Sequence, residues 1–90
     1  MTTVDHRYIR ITELQAIEGK PSKTKIFAVV AKEIEDTIGY VRFYPRWRKY
    51  VFAPRNMTLY EENCMRAIAS FVEGETRAWR KTVKERRAKA

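Results

Sequence analysis

Residues 40–54 read YVRFYPRWRKYVFAP, a stretch in which aromatic and basic residues interleave and no acidic residue occurs. Side chains alternate in character along residues 38–44, which predicts a strand with one apolar and one polar face. Pro45 cannot donate a backbone hydrogen bond, so it predicts the end of this strand and a turn through residues 46–47. A return strand is predicted over residues 48–53. This stretch therefore predicts a β-hairpin.

Upstream of the hairpin, residues 26–31 read IFAVVA, a continuous apolar run of strand length. Such a run is typical of a strand buried on both faces, and we expect it at the centre of the sheet. Residues 6–11 alternate and predict a further short strand. Thr12, with Gln15 three residues later, matches a capping box, and Gly19 matches a stop signal. A short N-terminal helix is therefore predicted.

Downstream of the hairpin, Thr58 and Glu61 form the sequence pattern of a capping box, which predicts the start of a long helix. Apolar residues recur at helical spacing along one stripe, at Tyr60, Cys64, Ile68, Phe71 and Val72. Such a stripe covers one face of a sheet. The predicted fold is α+β, with an antiparallel sheet of three or four strands packed on one long C-terminal helix. Residues 1–76 form the predicted domain, and residues 77–90 a basic helical extension or tail.

Charge is unevenly distributed along the 90 residues, whose formal net charge is +8. This length fits one domain. The excess of Lys and Arg lies in residues 42–55 and again in residues 77–89, while acidic residues predominate between the two blocks. A basic surface favours a polyanionic partner, and a solvated charged face is the alternative for both blocks.

Several classes of function are disfavoured by composition. A lone cysteine, Cys64, cannot form an internal disulfide, which favours a reducing, cytoplasmic location. No segment approaches the roughly 18 apolar residues of a membrane span, and no signal peptide is expected. His6 has no acid, cysteine or serine at a spacing that suggests a catalytic pair, and no glycine-rich phosphate loop occurs. We expect no catalysis, no metal and no cofactor.

Residues 41–54 are followed by a set of spaced residues, namely Thr58, Cys64, Met65, Ile68 and Phe71. This run resembles a group of short uncharacterised phage and plasmid proteins that read approximately I-x-W-Y-P-x-W-R-x-Y-x-F-x-P, then T, then C-L-x-x-I-x-x-F. The resemblance covers residues 26–72 and departs from the pattern at Phe43, where the group tends to have Trp. It implies a mobile-element origin, a bacterial or archaeal host and a β-β-β-α order, but no functional residue.

The leading functional prediction is a small nucleic-acid-binding protein, for DNA or RNA. Aromatic rings on a sheet face would stack on bases, and cations on that face and on the C-terminal helix would bind phosphates. The predicted contact residues are Tyr40, Arg42, Tyr44, Arg46, Arg48, Lys49, Tyr50, Arg80, Lys81, Lys84 and Arg87. Trp47 and Phe52 are predicted as core residues instead.

Two other functions are compatible with the same residues. The first is an accessory or anti-defence protein that binds a host protein through Tyr, Trp and Arg anchors. The second is a structural homodimer, in which the strand of residues 26–31 or the helix around Trp79 pairs with its twin. The leading prediction and the first alternative differ in salt dependence, because only phosphate contacts weaken steeply as salt rises.

Overall fold

A computed structural model describes residues 3–14 and 24–89 of the chain. The elements in chain order are β1 (Thr3–Asp5), β2 (Ile9–Leu14), β3 (Ile26–Ala31), β4 (Asp36–Tyr44), β5 (Lys49–Pro54) and α1 (Glu62–Lys89). Each strand pairs antiparallel with the next to form a single sheet, and α1 packs across one face of it. The α+β prediction is confirmed, but the sheet has five strands rather than three or four.

The extra strand and the length of β2 come from the N-terminal segment. In β1, Val4 lies opposite Ile11 of β2. Thr12, predicted as a helix cap, lies inside β2 and pairs with Ala28. The predicted helix start at Thr12 is therefore wrong, because ladder hydrogen bonds on both sides of β2 satisfy its backbone better than one local cap can. The rest of that predicted helix, residues 15–19, lies outside the described residues.

Strand β3 lies at the centre of the sheet, as predicted, between β2 and β4. Phe27 and Val29 are fully buried on the side that faces α1, where the Phe27 ring meets Phe71 edge to face at 4.8 Å. On the opposite side Ile26 is 48% exposed. The prediction that this strand is covered on both faces is therefore wrong at Ile26, because α1 covers only one face of the sheet.

A bulge in β4 buries two consecutive residues, Ile38 and Gly39. Val29 pairs with Gly39, but Val30 pairs with Thr37, so Ile38 is the extra residue of the bulge. Strict alternation would direct Ile38 away from α1, yet it is buried in the core cluster. The bulge adds an apolar side chain to a small core, and the neighbouring Gly39 leaves room for the Phe52 ring.

Gly39 is also a site where added bulk would disturb packing. A Cβ at this position would lie 2.6 Å from Cε1 of Phe52 and 2.9 Å from the Ala53 carbonyl oxygen. We expect Gly39→Ala to destabilise the fold by about 1–3 kcal/mol, as overpacking does. Gly74→Ala is the control, because open space surrounds Gly74 in the middle of α1, and this change should stabilise by about 0.5–1 kcal/mol. Urea unfolding checks both, and equal stabilities would contradict this packing.

Helix α1 presents the predicted apolar stripe to the sheet. Cys64 and Ile68 are buried, and Phe71 and Val72 pack beside them. Burial raises the pKa of the Cys64 thiol above its ordinary value, as expected for a thiol in an apolar setting. The stripe prediction is confirmed from Cys64 to Val72, and Cys64 acts as a small core residue. Tyr60, predicted as part of the helix, precedes α1 but packs against the same core.

The start of α1 differs from the predicted capping box. The Glu61 carboxylate accepts a hydrogen bond from the Cys64 backbone N–H, so Glu61 caps the helix, while the Thr58 hydroxyl donates to the Arg55 carbonyl. Burial raises the pKa of the Glu61 carboxyl, but hydrogen bonds from Cys64 and Asn63 outweigh this and hold it below the ordinary value. The cap therefore contributes stability at neutral pH and loses it as the pH falls through the lowered pKa.

Helix α1 is unbroken between residues 76 and 77, where the predicted domain and the predicted extension meet. Thr76 accepts a hydrogen bond from the Tyr50 backbone N–H at 2.9 Å. One turn further on, the Trp79 ring packs on Phe43 with ring centroids 4.5 Å apart. Packing of α1 against the sheet therefore continues at least to Trp79.

The outer edge of β5 is closed to strand pairing at two of its outward positions. The Tyr50 backbone N–H points away from β4 and toward Thr76. Because antiparallel pairs alternate, the backbone nitrogens of Phe52 and Pro54 also point away from β4. Pro54 has no backbone N–H that could donate to another strand.

Strand β3 is paired on both sides within its own sheet. Pairing of β3 with a second copy, as in the homodimer alternative, is therefore wrong for this fold.

Candidate functional site

The turn between β4 and β5, residues 45–48, carries the most exposed tryptophan of the chain. The Trp47 backbone N–H donates to the Tyr44 carbonyl at 3.2 Å, and the Arg48 backbone N–H donates to the Pro45 carbonyl at 3.1 Å. Trp47 is 63% exposed, so the prediction that it is a core residue is wrong. The turn hydrogen bonds and Pro45 fix the backbone so that the indole projects from the end of the hairpin. Phe52, also predicted as core, is half-buried against Tyr60.

Arg48 closes this turn in the left-handed conformation, with φ of 53°. A side chain at such a position is strained, and glycine is the usual residue there. The left-handed residue turns the chain back into β5 and leaves the Arg48 side chain exposed.

A groove runs between this turn and the C-terminal half of α1. Its lining consists of Trp47, Arg48, Trp79, Arg80, Val83, Lys84 and Arg87, and we call it the hairpin-helix groove. The helix residues of the lining form two adjacent rows with a spacing of four. One row is Trp79, Val83 and Arg87, and the other is Arg80 and Lys84, so one side of α1 presents all of them to the turn. The tryptophans and the valine supply apolar surface, and the other lining residues are all cationic.

The cations of the hairpin-helix groove are not neutralised by protein carboxylates. In the described part of the chain, no ion pair includes Arg48, Arg80, Lys84 or Arg87. By contrast, three cations at the opposite end of the sheet are paired, namely Arg10 with Glu35, Lys32 with Asp5 and Arg55 with Asp36, while Arg7 there lies over the Tyr8 ring. A hydrogen bond from Lys32 and its charge hold the pKa of Asp5 below its ordinary value. Within residues 3–14 and 24–89, the groove end of the sheet therefore carries more positive charge without a carboxylate partner than the opposite end.

A second set of predicted residues lies on the open sheet face, the side of the sheet away from α1. Tyr40, Arg42 and Tyr44 alternate along β4 toward this face, and Lys49 of β5 lies opposite Tyr44. Tyr40 is 38% exposed and Arg42 is exposed. The Tyr44 ring meets the Trp47 ring at 4.9 Å, with their planes at 80°. The open sheet face and the hairpin-helix groove therefore meet at this ring pair.

Tyr50 does not belong to the open sheet face. It is 4% exposed, lies opposite Phe43 on the side facing α1, and its hydroxyl accepts a hydrogen bond from the Lys25 backbone N–H. Burial raises the pKa of the Tyr50 hydroxyl. The prediction of Tyr50 as a contact residue is wrong, because the strand pairing directs its neighbour Lys49 outward instead.

The remaining predicted residues are exposed but lie outside the groove lining. Arg46 is exposed in the turn, and Lys81 is exposed on α1 beside Arg80 and Lys84 but does not line the groove. The structure therefore brings together Arg48, Arg80, Lys84 and Arg87 from both basic blocks of the sequence.

Sequence reasoning missed the two tryptophans of the groove. A signal was present for each. Trp47 follows Pro45 in a predicted turn, and turn tips are exposed. Trp79, Val83 and Arg87 repeat every four residues beside the row that begins at Arg80, a spacing that places apolar and basic side chains on one side of a helix.

Within residues 3–14 and 24–89, no group of three or more metal-binding side chains is close enough to hold a metal ion. The same part of the chain contains no helix with the length and apolar character needed to cross a membrane. Comparisons with models of protein families, with curated proteins and with solved structures gave no match. Function is therefore inferred from the hairpin-helix groove itself.

Proposed function

We propose that this protein binds nucleic acid without catalysis, and that the hairpin-helix groove is the binding site. The observation that carries the proposal is the combination of an exposed Trp47 ring with unpaired cations on both sides of one groove. Phosphate groups need such cations, and base faces stack on such rings. A phage or plasmid origin and a bacterial or archaeal cytoplasm are part of the proposal, supported by the sequence resemblance alone.

The open sheet face extends the proposed site. Because Tyr44 contacts Trp47, a nucleic-acid strand bound in the groove can continue past the hairpin onto Lys49 and Arg42. Arg42 lies between Ile26 and Val51 in one row across the sheet, so a cation there is surrounded by apolar surface. Such a surface suits a sugar-phosphate chain with bases.

The test is a fluorescence anisotropy titration with labelled single-stranded and duplex DNA and RNA at about 50 and 300 mM salt. Four groove cations that each contact a phosphate of a single strand give a slope of log K against log salt of about −2.8. Affinity should then fall on the order of 100-fold between these salt concentrations. Absence of binding at the lower salt would overturn the proposal.

A second candidate function is binding of a host protein. The loop between β5 and α1 carries Met57 and Leu59, whose side chains are 101% and 95% exposed. Large apolar side chains that are exposed close together are a feature of protein interaction sites. Binding through them would persist at high salt, which distinguishes this function from the first.

Arg48→Gly offers a test in which charge is removed without a cost to folding. Glycine relieves left-handed strain of about 1–2 kcal/mol but adds about 0.5–1 kcal/mol of unfolded-chain entropy. We expect the free energy of unfolding to be unchanged or up to about 1.5 kcal/mol higher. Nucleic-acid affinity at about 50 mM salt should fall about eightfold, the contribution of one phosphate contact.

Met57→Gly is the matched control for Arg48→Gly. Met57 also has a left-handed backbone, with φ of 62°, but it is uncharged and lies beyond the opposite end of the sheet. We expect the same small effect on stability with unchanged nucleic-acid affinity. Equal affinity of both variants would show that Arg48 makes no contact with the ligand.

A further inference from the structure

We infer that the hairpin-helix groove selects unpaired nucleotides, with one base stacked on Trp47. The inference rests on the proposed function and names its substrate class. The Trp47 ring is 63% exposed, yet it is held in place by the edge-to-face contact with Tyr44 and by the turn hydrogen bonds. A ring that is already fixed loses little conformational freedom when a base stacks on it.

The two tryptophans have different parts in this site. The Trp79 ring is half-buried and packs on Phe43 with ring centroids 4.5 Å apart, so it forms the floor of the groove. Trp47 stands at the rim, where most of its surface faces solvent. Stacking on Trp47 therefore needs no rearrangement of the core.

Only an unpaired base can use Trp47 fully. In a duplex, neighbouring base pairs cover both faces of each base, and extrusion of a base carries an unstacking cost. A duplex would therefore contact only the cations of the groove, while a single strand gains stacking as well. One stacked base is expected to favour the single strand by about five- to 150-fold.

The helix side of the groove sets the length of the strand that it holds. Arg80 and Arg87 are seven residues apart, which at the helical rise of 1.5 Å per residue is about 10 Å along α1. Along the axis of a helically stacked strand one phosphate occurs about every 3.4 Å, so this distance covers about three intervals and therefore about four phosphates. Arg48 lies across the groove from these side chains and reaches the same stretch of backbone.

The experiment compares the affinity of a labelled single strand of about ten thymidylates with that of a duplex of equal length and with a single-stranded RNA, each at about 100 mM salt. For wild type we expect the single strands to bind up to about 25-fold more tightly than the duplex, because the stronger counterion release of a duplex at four contacts, about sixfold at this salt, offsets part of the stacking gain. Trp47→Leu should weaken single-strand binding about five- to 150-fold, leave the salt slope unchanged and leave duplex affinity within about twofold. Trp47→Phe should restore most of the loss, because a phenyl ring also stacks.

The outcomes separate this inference from the proposal on which it rests. Equal affinity for duplex and single strand, with no effect of Trp47→Leu, would overturn the stacking inference and leave nucleic-acid binding in place. Absence of binding to every polymer would overturn both. A thermal melt of Trp47→Leu is the folding control, and its midpoint should be close to wild type because the replaced ring is mostly exposed.

Discussion

Replacement of Ile68 by Asp is expected to unfold the protein. Ile68 is 4% exposed at the centre of the apolar stripe of α1. The change removes about 2–5 kcal/mol of apolar burial and adds several kcal/mol for an unpaired buried carboxylate. A chain of this length has a free energy of unfolding of about 5–13 kcal/mol. Circular dichroism and thermal melting should show loss of the cooperative transition at 25 °C.

Met65→Asp is the matched control for this prediction. Met65 lies on the same helix three residues earlier, but its side chain is 53% exposed. The same charge introduced there remains in contact with water, so we expect a change in stability below about 1 kcal/mol. If the Ile68 variant folded as well as the Met65 variant, the assignment of the buried face of α1 would be wrong.

Features that depend on local pattern were predictable from the sequence. The hairpin follows from the alternation in residues 38–44 and from Pro45, and the buried face of α1 follows from spacing alone, as Cys64 and Ile68 show. The central position of residues 26–31 follows from their continuous apolar character.

Features that depend on neighbouring elements were not predictable. Thr12 has the local pattern of a helix cap, but it lies in a strand because β1 and β3 pair on its two sides. The bulge that buries Ile38 lies beside Gly39, where the Phe52 ring of the next strand occupies the space that a side chain would fill. Each case is decided by contacts between distant segments, which outweigh weak local preferences.

The error at Tyr50 shows how one residue of register changes a site. The sequence prediction placed Arg48 and Tyr50 on the same face as Tyr44, which requires the even-numbered residues of β5 to point outward. The observed turn pairs Tyr44 with Lys49, so the odd-numbered residues of β5 point outward instead. A slip of one residue exchanges the two faces of a strand. The groove was missed for a related reason, since it joins a turn to a helix about 30 residues further along the chain.

Replacement of Arg80 and Lys84 together by Gln is expected to weaken nucleic-acid binding strongly. Both cations line the hairpin-helix groove and have no carboxylate partner in the described part of the chain. Loss of two single-strand phosphate contacts should reduce the slope of log K against log salt by about 1.4. Affinity at about 50 mM salt should then fall on the order of 50-fold. Both side chains are exposed, so the melting temperature should stay near that of wild type.

Lys81 and Arg86, replaced together by Gln, form the matched control. This pair also removes one Lys and one Arg from exposed positions of α1, but neither residue lines the groove. Net charge and helix propensity change equally in the two double variants, so any difference in affinity reports position. We expect the control to lose no more than about threefold, through weaker long-range attraction. Equal losses in both variants would mean that the C-terminal helix attracts nucleic acid only as a diffuse cationic surface, and the groove would lose its status as the binding site.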